Sequence, residues 1–281
     1  MNNLARFALR LLGLGLVLAL AGFAMAGFSL ENLDTRGPSE QRTIRPVGEL
    51  RESDGQSAYP AERVTALMVT DEDHSIIVRP SADGQWRAVC YERKHGRYEA
   101  DLHNDGVFRL RYVDDRPWYE RVGITYCGES DHDVLVYVPA GANVPMTLST
   151  VNGAVSVEDV AAQALSMSTT NGDISAKGVR CAGEMRAETT NGAVLLTDLA
   201  AQSVFGQSVN GPINFTAVDA RRGDYRTTNG GIAGSLAGAA SEYTVSARTA
   251  LGDNNLTSGG NGPRQLNVKS VNGSIDVAFA P

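Results

Sequence analysis

The chain has 281 residues, 30 of them glycine, only 6% aromatic residues, and a formal net charge of -7. That length buries a large core as one long domain or two ordinary ones. Scarce aromatics with abundant Gly, Ala, Val, Thr and Ser fit thin β-strands joined by many turns, not a helical bundle, and so acidic a chain lacks the basic footprint of a general nucleic-acid binder.

At the N-terminus Arg6 and Arg10 precede an apolar run from Leu11 to Ala26 that ends in Ala24-Met25-Ala26. This is the layout of a Sec signal peptide over residues 1–26, cleaved before Gly27, and it predicts a periplasmic, secreted or cell-surface protein. The alternative is an uncleaved anchor, the run being near the lower length limit for a spanning helix; the membrane would then be touched through this segment alone. Cleavage removes two basic residues and no acids, which leaves 23 basic against 32 acidic residues and a net charge of −9.

Residues 27–61 carry Pro, Ser, Glu, Arg and Gly without an apolar period and read as a flexible spacer. Residues 62–139 read as an irregular β segment. Ala66-Leu67-Met68-Val69 and Ser75-Ile76-Ile77-Val78 flank an acidic turn, Asp71-Glu72-Asp73, and further short β-branched and aromatic runs follow, the last being Val134–Val138 before Pro139. The three cysteines, Cys90, Cys127 and Cys181, are an odd number for an exported chain and predict one disulfide with one spare thiol. Cys90 and Cys127, at strand ends in the first half, are the expected pair. The alternative is three reduced thiols.

Residues 140–281 are a repeat. Thr150-Val151-Asn152-Gly153 returns as Thr169-Thr170-Asn171-Gly172, Thr189-Thr190-Asn191-Gly192, Ser208-Val209-Asn210-Gly211, Thr227-Thr228-Asn229-Gly230 and Ser270-Val271-Asn272-Gly273. A degenerate copy, Thr249-Ala250-Leu251-Gly252, precedes the last, and successive starts lie 19, 20, 19, 19, 22 and 21 residues apart. Aligned on the Asn, positions six and four before it are apolar or small, as in Met146 and Leu148 or Leu165 and Met167, with Gly223 the exception at the first; aliphatics recur three after it, as in Val155 and Ile174. A period of two on both sides makes each unit strand, tight turn, strand.

Each Asn-Gly is then either a hairpin turn in an antiparallel meander or a corner of a parallel β-solenoid with coils of about 20 residues. Hairpins need no agreement between units, whereas stacking does, so the columns of Thr/Ser and Asn favour the solenoid. The corner residues are Asn152, Asn171, Asn191, Asn210, Asn229 and Asn272.

An exported chain, a Val136-Tyr137-Val138-Pro139 strand end and tandem Thr-x-Asn-Gly-x-Ile units together resemble the bacterial putative-adhesin family of β-strand-repeat proteins, domain of unknown function 4097. The resemblance covers roughly residues 62–281. It implies an all-β, right-handed parallel β-helix at the cell envelope and supplies no catalytic motif. The departure at Leu251, with Gly259-Gly260-Asn261-Gly262-Pro263 after it, implies one looser coil.

The expected function is therefore a non-enzymatic, adhesin-like or scaffolding module. A polysaccharide lyase or hydrolase is the alternative, and it would need carboxylates clustered on adjacent coils. The position after each Asn-Gly reads Ala154, Asp173, Ala193, Pro212, Gly231, Asp253 and Ser274, while Asp198 and Asp219 fall in return loops, so no catalytic residues are assigned. Asp131-His132-Asp133 with His103 or His74 matches no structural zinc spacing, and no cofactor motif is present. Three before the Asn, the last units carry Arg226, Arg248 and Lys269, with Arg221, Arg222 and Arg264 near; stacked, they form a stripe suited to an anionic glycan or lipid headgroup. The plainer reading is a solvated face that discourages edge aggregation.

Overall fold

A computed structural model of the chain describes residues 40–44, 64–92, 96–102, 105–115 and 133–280. The described residues are all-β apart from a single 3-10 turn, Ala240–Glu242. The strands that flank each Asn-Gly do not pair with each other. Met146–Ser149 lies parallel between Ala66–Thr70 and Leu165–Thr169, while Val155–Glu158 lies parallel between Ile76–Pro80 and Ile174–Lys177. The hairpin reading is thereby excluded, and the architecture is a long, mostly parallel sheet in which the units stack on one another.

Two continuous ladders result. One holds the strands before the Asn: Met185 opposes Leu165 on one side and Val204 on the other, and Val204 in turn opposes Gly223. The other holds the strands after the Gly, in which Ile174, Val194, Ile213, Ile232 and Ile275 follow one another. Their alternate residues face inward and are buried, so the core is a column of aliphatics between the ladders. Where the chain turns back, Asp159, Gly178, Asp198 and Ala217 occupy one register position, all with φ between 52° and 65°.

The spatial order of the rungs departs from chain order at both ends. Arg264–Lys269 stacks directly on the 222–227 half of Ile213–Thr227, and the earlier segment Tyr243–Arg248 lies outside it. At the other end Ala66–Thr70 sits between Met146–Ser149 and the later strand Val107–Asp114. The degenerate corner at Leu251 is thus not a loose coil inside the stack but its terminal rung. Ser270-Val271-Asn272-Gly273, which can be hydrogen-bonded on both sides, takes the inner place.

The break in the aliphatic column at Gly223 has a packing reason. Tyr225, fully buried, stacks on Phe215 at 4.4 Å between ring centroids and 17° between planes. A Cβ on Gly223 would lie 2.9 Å from the Tyr225 ring and one on Gly206 3.1 Å from it, so two glycines surrender their volume to one aromatic. The cost is a buried Tyr225 hydroxyl with no hydrogen-bond partner among the described residues, and burial pushes the phenol above its ordinary range. Tyr225→Phe keeps the stack and removes the orphaned hydroxyl. It is expected to raise stability by about 1 kcal/mol in a urea melt; a loss of stability would mean that the hydroxyl is solvated.

Glu40–Ile44, inside the stretch expected to be a flexible spacer, forms a strand antiparallel to Arg87–Glu92. The latter pairs antiparallel with Val134–Val138 on its other side. An edge strand recruits a partner through backbone groups, which requires no apolar period. Residues 1–39, with the leader, lie outside the described residues. Among the described residues, no helix is long and apolar enough to cross a membrane.

Candidate functional surface

The corner is built from three side-chain columns. The asparagines are exposed and form a head-to-tail chain of amides. Asn272 Nδ2 donates to Asn229 Oδ1 (2.8 Å), Asn229 to Asn210 (2.7 Å), Asn210 to Asn191 (2.7 Å), Asn191 to Asn171 (2.8 Å) and Asn171 to Asn152 (2.7 Å). Asn152 Nδ2 donates in turn to Asp73 Oδ1 at 2.7 Å, so the chain ends on a carboxylate. Hydrogen bonds in such a row polarise one another and strengthen together.

Two residues earlier, the hydroxyls are buried and donate to backbone of the same neighbouring rung. Thr189 Oγ1 donates to the carbonyl of Gly172 at 2.9 Å, and Thr169, Ser208, Thr227 and Ser270 repeat the contact at 2.8–2.9 Å on the glycine of the adjacent rung. That glycine makes the third column. A Cβ on Gly192 would lie 1.9 Å from the carbonyl oxygen of Gly172, and the same near-coincidence recurs at Gly153, Gly172, Gly211, Gly230 and Gly273. None of these glycines has a positive φ. Glycine is required here because one backbone lies on the next, not for a left-handed turn.

The acidic turn of the first half belongs to the same corner. Relative to Asp73, Leu67 and Val69 occupy the two apolar offsets before the Asn, Asp71 the hydroxyl position, His74 the glycine position and Ile76 the aliphatic one after it; the registers with Met146, Leu148 and Val155 confirm this placement. Those offsets were visible in the sequence, hidden by the change from Thr-x-Asn-Gly to Asp-Glu-Asp-His. Asp71 is buried, and its Oδ1 accepts the backbone N–H groups of Glu72, Asp73 and His74 at 2.8–3.0 Å. His74 Nδ1 lies 3.0 Å from the same oxygen, the Tyr98 hydroxyl donates to Oδ2 at 2.5 Å, and the Tyr112 ring meets His74 edge-on at 5.1 Å.

Burial alone would raise the Asp71 carboxyl, but His74, the Tyr98 hydroxyl and the turn N–H groups outweigh it and hold it below the usual 3.8. Burial, reinforced by the Asp71 charge, pushes the Tyr98 phenol well above its ordinary range. The contact fastens Gly96–Leu102, an end-capping strand antiparallel to Val107–Asp114, onto the last rung that carries a corner acceptor. Because the folded-state pKa of Asp71 is depressed, its contribution to stability is fully present above about 3.8 and is lost as the pH falls through the depressed value. The stability gap between wild type and Asp71→Asn, measured by thermal melts from pH 7 to pH 2, is expected to be constant above pH 4 and to narrow below it. A gap independent of pH would show that the carboxylate charge is not what holds the cap.

The three cations of the expected stripe occupy one register column, in the order Arg226, Lys269, Arg248. All three are exposed. Arg226 is neutralised by a bidentate contact with Asp224 at 2.6 and 2.7 Å, so it does not contribute an open charge. Lys269 and Arg248 have no carboxylate within ion-pair distance among the described residues. The return-loop acids are engaged: Asp198 by Arg180 at 2.9 Å and Asp219 by Arg264 at 2.8 Å.

No group of three or more His, Cys, Asp or Glu residues able to hold a metal ion occurs among the described residues. His103, Asp131 and His132 lie outside them, as does Cys127, and with it the expected Cys90–Cys127 pair. Cys90 is buried. Cys181 is buried as well, its Sγ 3.3 Å from the carbonyl of Glu184, and desolvation pushes the thiol above its ordinary value.

Residues 64–280 match the family model described as Toastrack DUF4097. Among solved structures, a putative adhesin from Bacteroides fragilis NCTC 9343 aligns with a TM-score of 0.51 at 14% identity, over 86% of this chain and 97% of that one. A putative cell adhesion protein from Clostridium sporogenes ATCC 15579 aligns with a TM-score of 0.39 at 7% identity, over 86% of this chain and 100% of that one. A putative adhesin from Parabacteroides distasonis ATCC 8503 gives 0.40 at 8% identity, over 86% and 98%. No curated protein matches the chain. The 14% likeness bears on the fold alone.

Proposed function

The chain belongs to the Toastrack DUF4097 family, and from that premise we propose that it is a non-enzymatic module presenting a rigid surface in the cell envelope, adhesin-like or scaffolding in role. In this reading the stack is a right-handed β-solenoid with coils of about 20 residues. Residues 1–26 are a leader and 27–61 a spacer, of which 40–44 are drawn onto the edge of the sheet; 62–139 and 140–281 are the irregular and the regular parts of one rod. The observation that carries the reading is the continuous corner, with its row of six asparagines closed by Asp73. Such a surface is stiff and regular, and the return-loop carboxylates Asp198 and Asp219 are held by Arg180 and Arg264. The name of the Bacteroides fragilis neighbour, a putative adhesin, points the same way.

The corner asparagines serve the rod, and the open cations near its C-terminal end serve a partner with anionic groups. The test is the fate of the full chain expressed in a bacterial host. Mass spectrometry of fractionated cells is expected to find a mature N-terminus at Gly27 outside the cytoplasm; an intact leader on a cytoplasmic protein would overturn export. Release of reducing ends from wall polysaccharide by the purified protein would overturn the non-enzymatic part.

A further inference from the structure

The distribution of unpaired cations along the rod is lopsided. Every described arginine from Arg79 to Arg186 has a carboxylate within 3.6 Å. In the last three rungs Arg221, Arg222, Lys269 and Arg248 have none among the described residues, and Arg222 makes only a 3.1 Å hydrogen bond to Gln265 Oε1. Lys269 and Arg248 stand directly opposite each other on adjacent parallel strands. Like charges so placed repel. An acidic protein with acids to spare leaves that repulsion uncompensated at one end only.

The same end carries the most exposed large aliphatic side chain among the described residues. Leu251 is 67% exposed at the terminal corner, and Val271, on the adjacent rung, is 36% exposed. Leu251 stands opposite Asn272 in register, its backbone N–H bonded to the carbonyl of Val271 at 2.8 Å, so Val271 directly precedes the residue beside it. Leu251 is three residues from Arg248 and Val271 two from Lys269, which keeps both pairs within about 10 Å. Elsewhere in the stack the position of Leu251 holds a laddered asparagine. Here the row has ended, and an apolar side chain projects beside two open cations.

Aliphatic groups beside uncompensated cations are the chemistry that settles on an anionic lipid surface: the cations meet phosphate headgroups and the aliphatics enter the interface. We propose that the C-terminal tip of the rod docks onto an anionic phospholipid membrane through Arg248, Lys269, Leu251 and Val271. Asp253, past the corner in the column of Ser274, is a carboxylate that opposes the contact. The inference rests on the envelope reading only for the presence of such lipids. Vesicle binding and leader processing are measured separately, so either can fail alone.

The test is co-sedimentation of the full chain with vesicles of phosphatidylcholine alone or mixed with phosphatidylglycerol. Every variant retains residues 1–26, so differences between variants do not come from the leader. Wild type is expected to bind the anionic vesicles more tightly, with the excess lost in high salt. Arg248→Gln with Lys269→Gln is expected to weaken anionic binding about thirtyfold, from about fivefold per cation. Leu251→Ser should weaken it severalfold. Lys177→Gln, which neutralises a cation in the middle of the rod with no carboxylate within ion-pair distance among the described residues, should leave it unchanged. Undiminished binding by the double variant, or an equal loss with Lys177→Gln, would overturn the proposal. So would retention on immobilised polygalacturonate without binding to anionic vesicles, which would make the patch a glycan site.

Discussion

Gly192→Ala is expected to cost at least about 3 kcal/mol, enough to lower the melting temperature of the rod by many degrees. The added Cβ would sit 1.9 Å from the carbonyl oxygen and 2.5 Å from the carbonyl carbon of Gly172. Both are backbone atoms, so no side-chain rotation relieves the overlap. Two rungs would have to separate at the corner, where Thr189 and Asn191 each bridge to the rung below. The informative control is Gly84→Ala. Gly84 has φ +68 and nothing within 4 Å of a new Cβ, so it should cost only about 1 kcal/mol, the penalty of a left-handed alanine. Equal costs at the two sites would mean that the corner stack is looser than drawn.

Thr189→Asp is the second large effect, at about 4 kcal/mol near neutral pH. The Thr189 hydroxyl is buried and faces an acceptor, the Gly172 carbonyl, at 2.9 Å. A carboxylate there meets another oxygen with no donor between them. Nature shows the terms on which an acid is tolerated in this column, because Asp71 occupies it one rung beyond Thr150. Asp71 is supplied with three backbone N–H groups, His74 and the Tyr98 hydroxyl. No described imidazole or phenol bonds at the Thr189 corner. Burial would raise the new carboxyl above its unfolded value, so the folded state binds the extra proton and the penalty grows as the pH rises past about 4. In acid the protonated side chain can donate to Gly172 as the hydroxyl did. Urea melts at pH 7 and pH 3.5 should therefore show a large and a reduced loss respectively. Thr189→Val, which lacks the charge, should cost about 1 kcal/mol at both.

The stacking was legible because it is a matter of periods. Inward residues at even offsets before the Asn and odd offsets after it, from Met146 to Ile275, say which positions lie over one another. They do not say which rung lies next to which. Nothing in a period reveals that Arg264–Lys269 slips between two earlier segments. The one hint was that Leu251 lacks an amide to pass on, which suits a terminus better than an interior. The glycine after each Asn was legible as a corner and misleading as to cause, since turn chemistry and close approach of two backbones select the same residue. Asp71-Glu72-Asp73-His74 kept the spacing of the repeat while changing its letters. Tyr98, which completes that cluster, comes from a strand outside the repeat pattern, where no alignment on the Asn could reach. The strand Glu40–Ile44 was invisible for a related reason: its partner recognises backbone, and sequence patterns report side chains.

The row of asparagines has one further property. An amide both gives and receives, so a file of amides by itself is indifferent to which way it faces, and the two senses are nearly degenerate. Asp73 can only receive. By closing the file at one end it turns Asn152 to present its nitrogen, which turns Asn171, and so on across the stack to Asn272, 199 residues away in sequence. At the far end Leu251 has no side-chain donor to offer, and the oxygen of Asn272 is left facing outward. A single acceptor-only residue thereby gives the whole exposed ridge a heading, with donors towards one end of the molecule and a bare oxygen at the other.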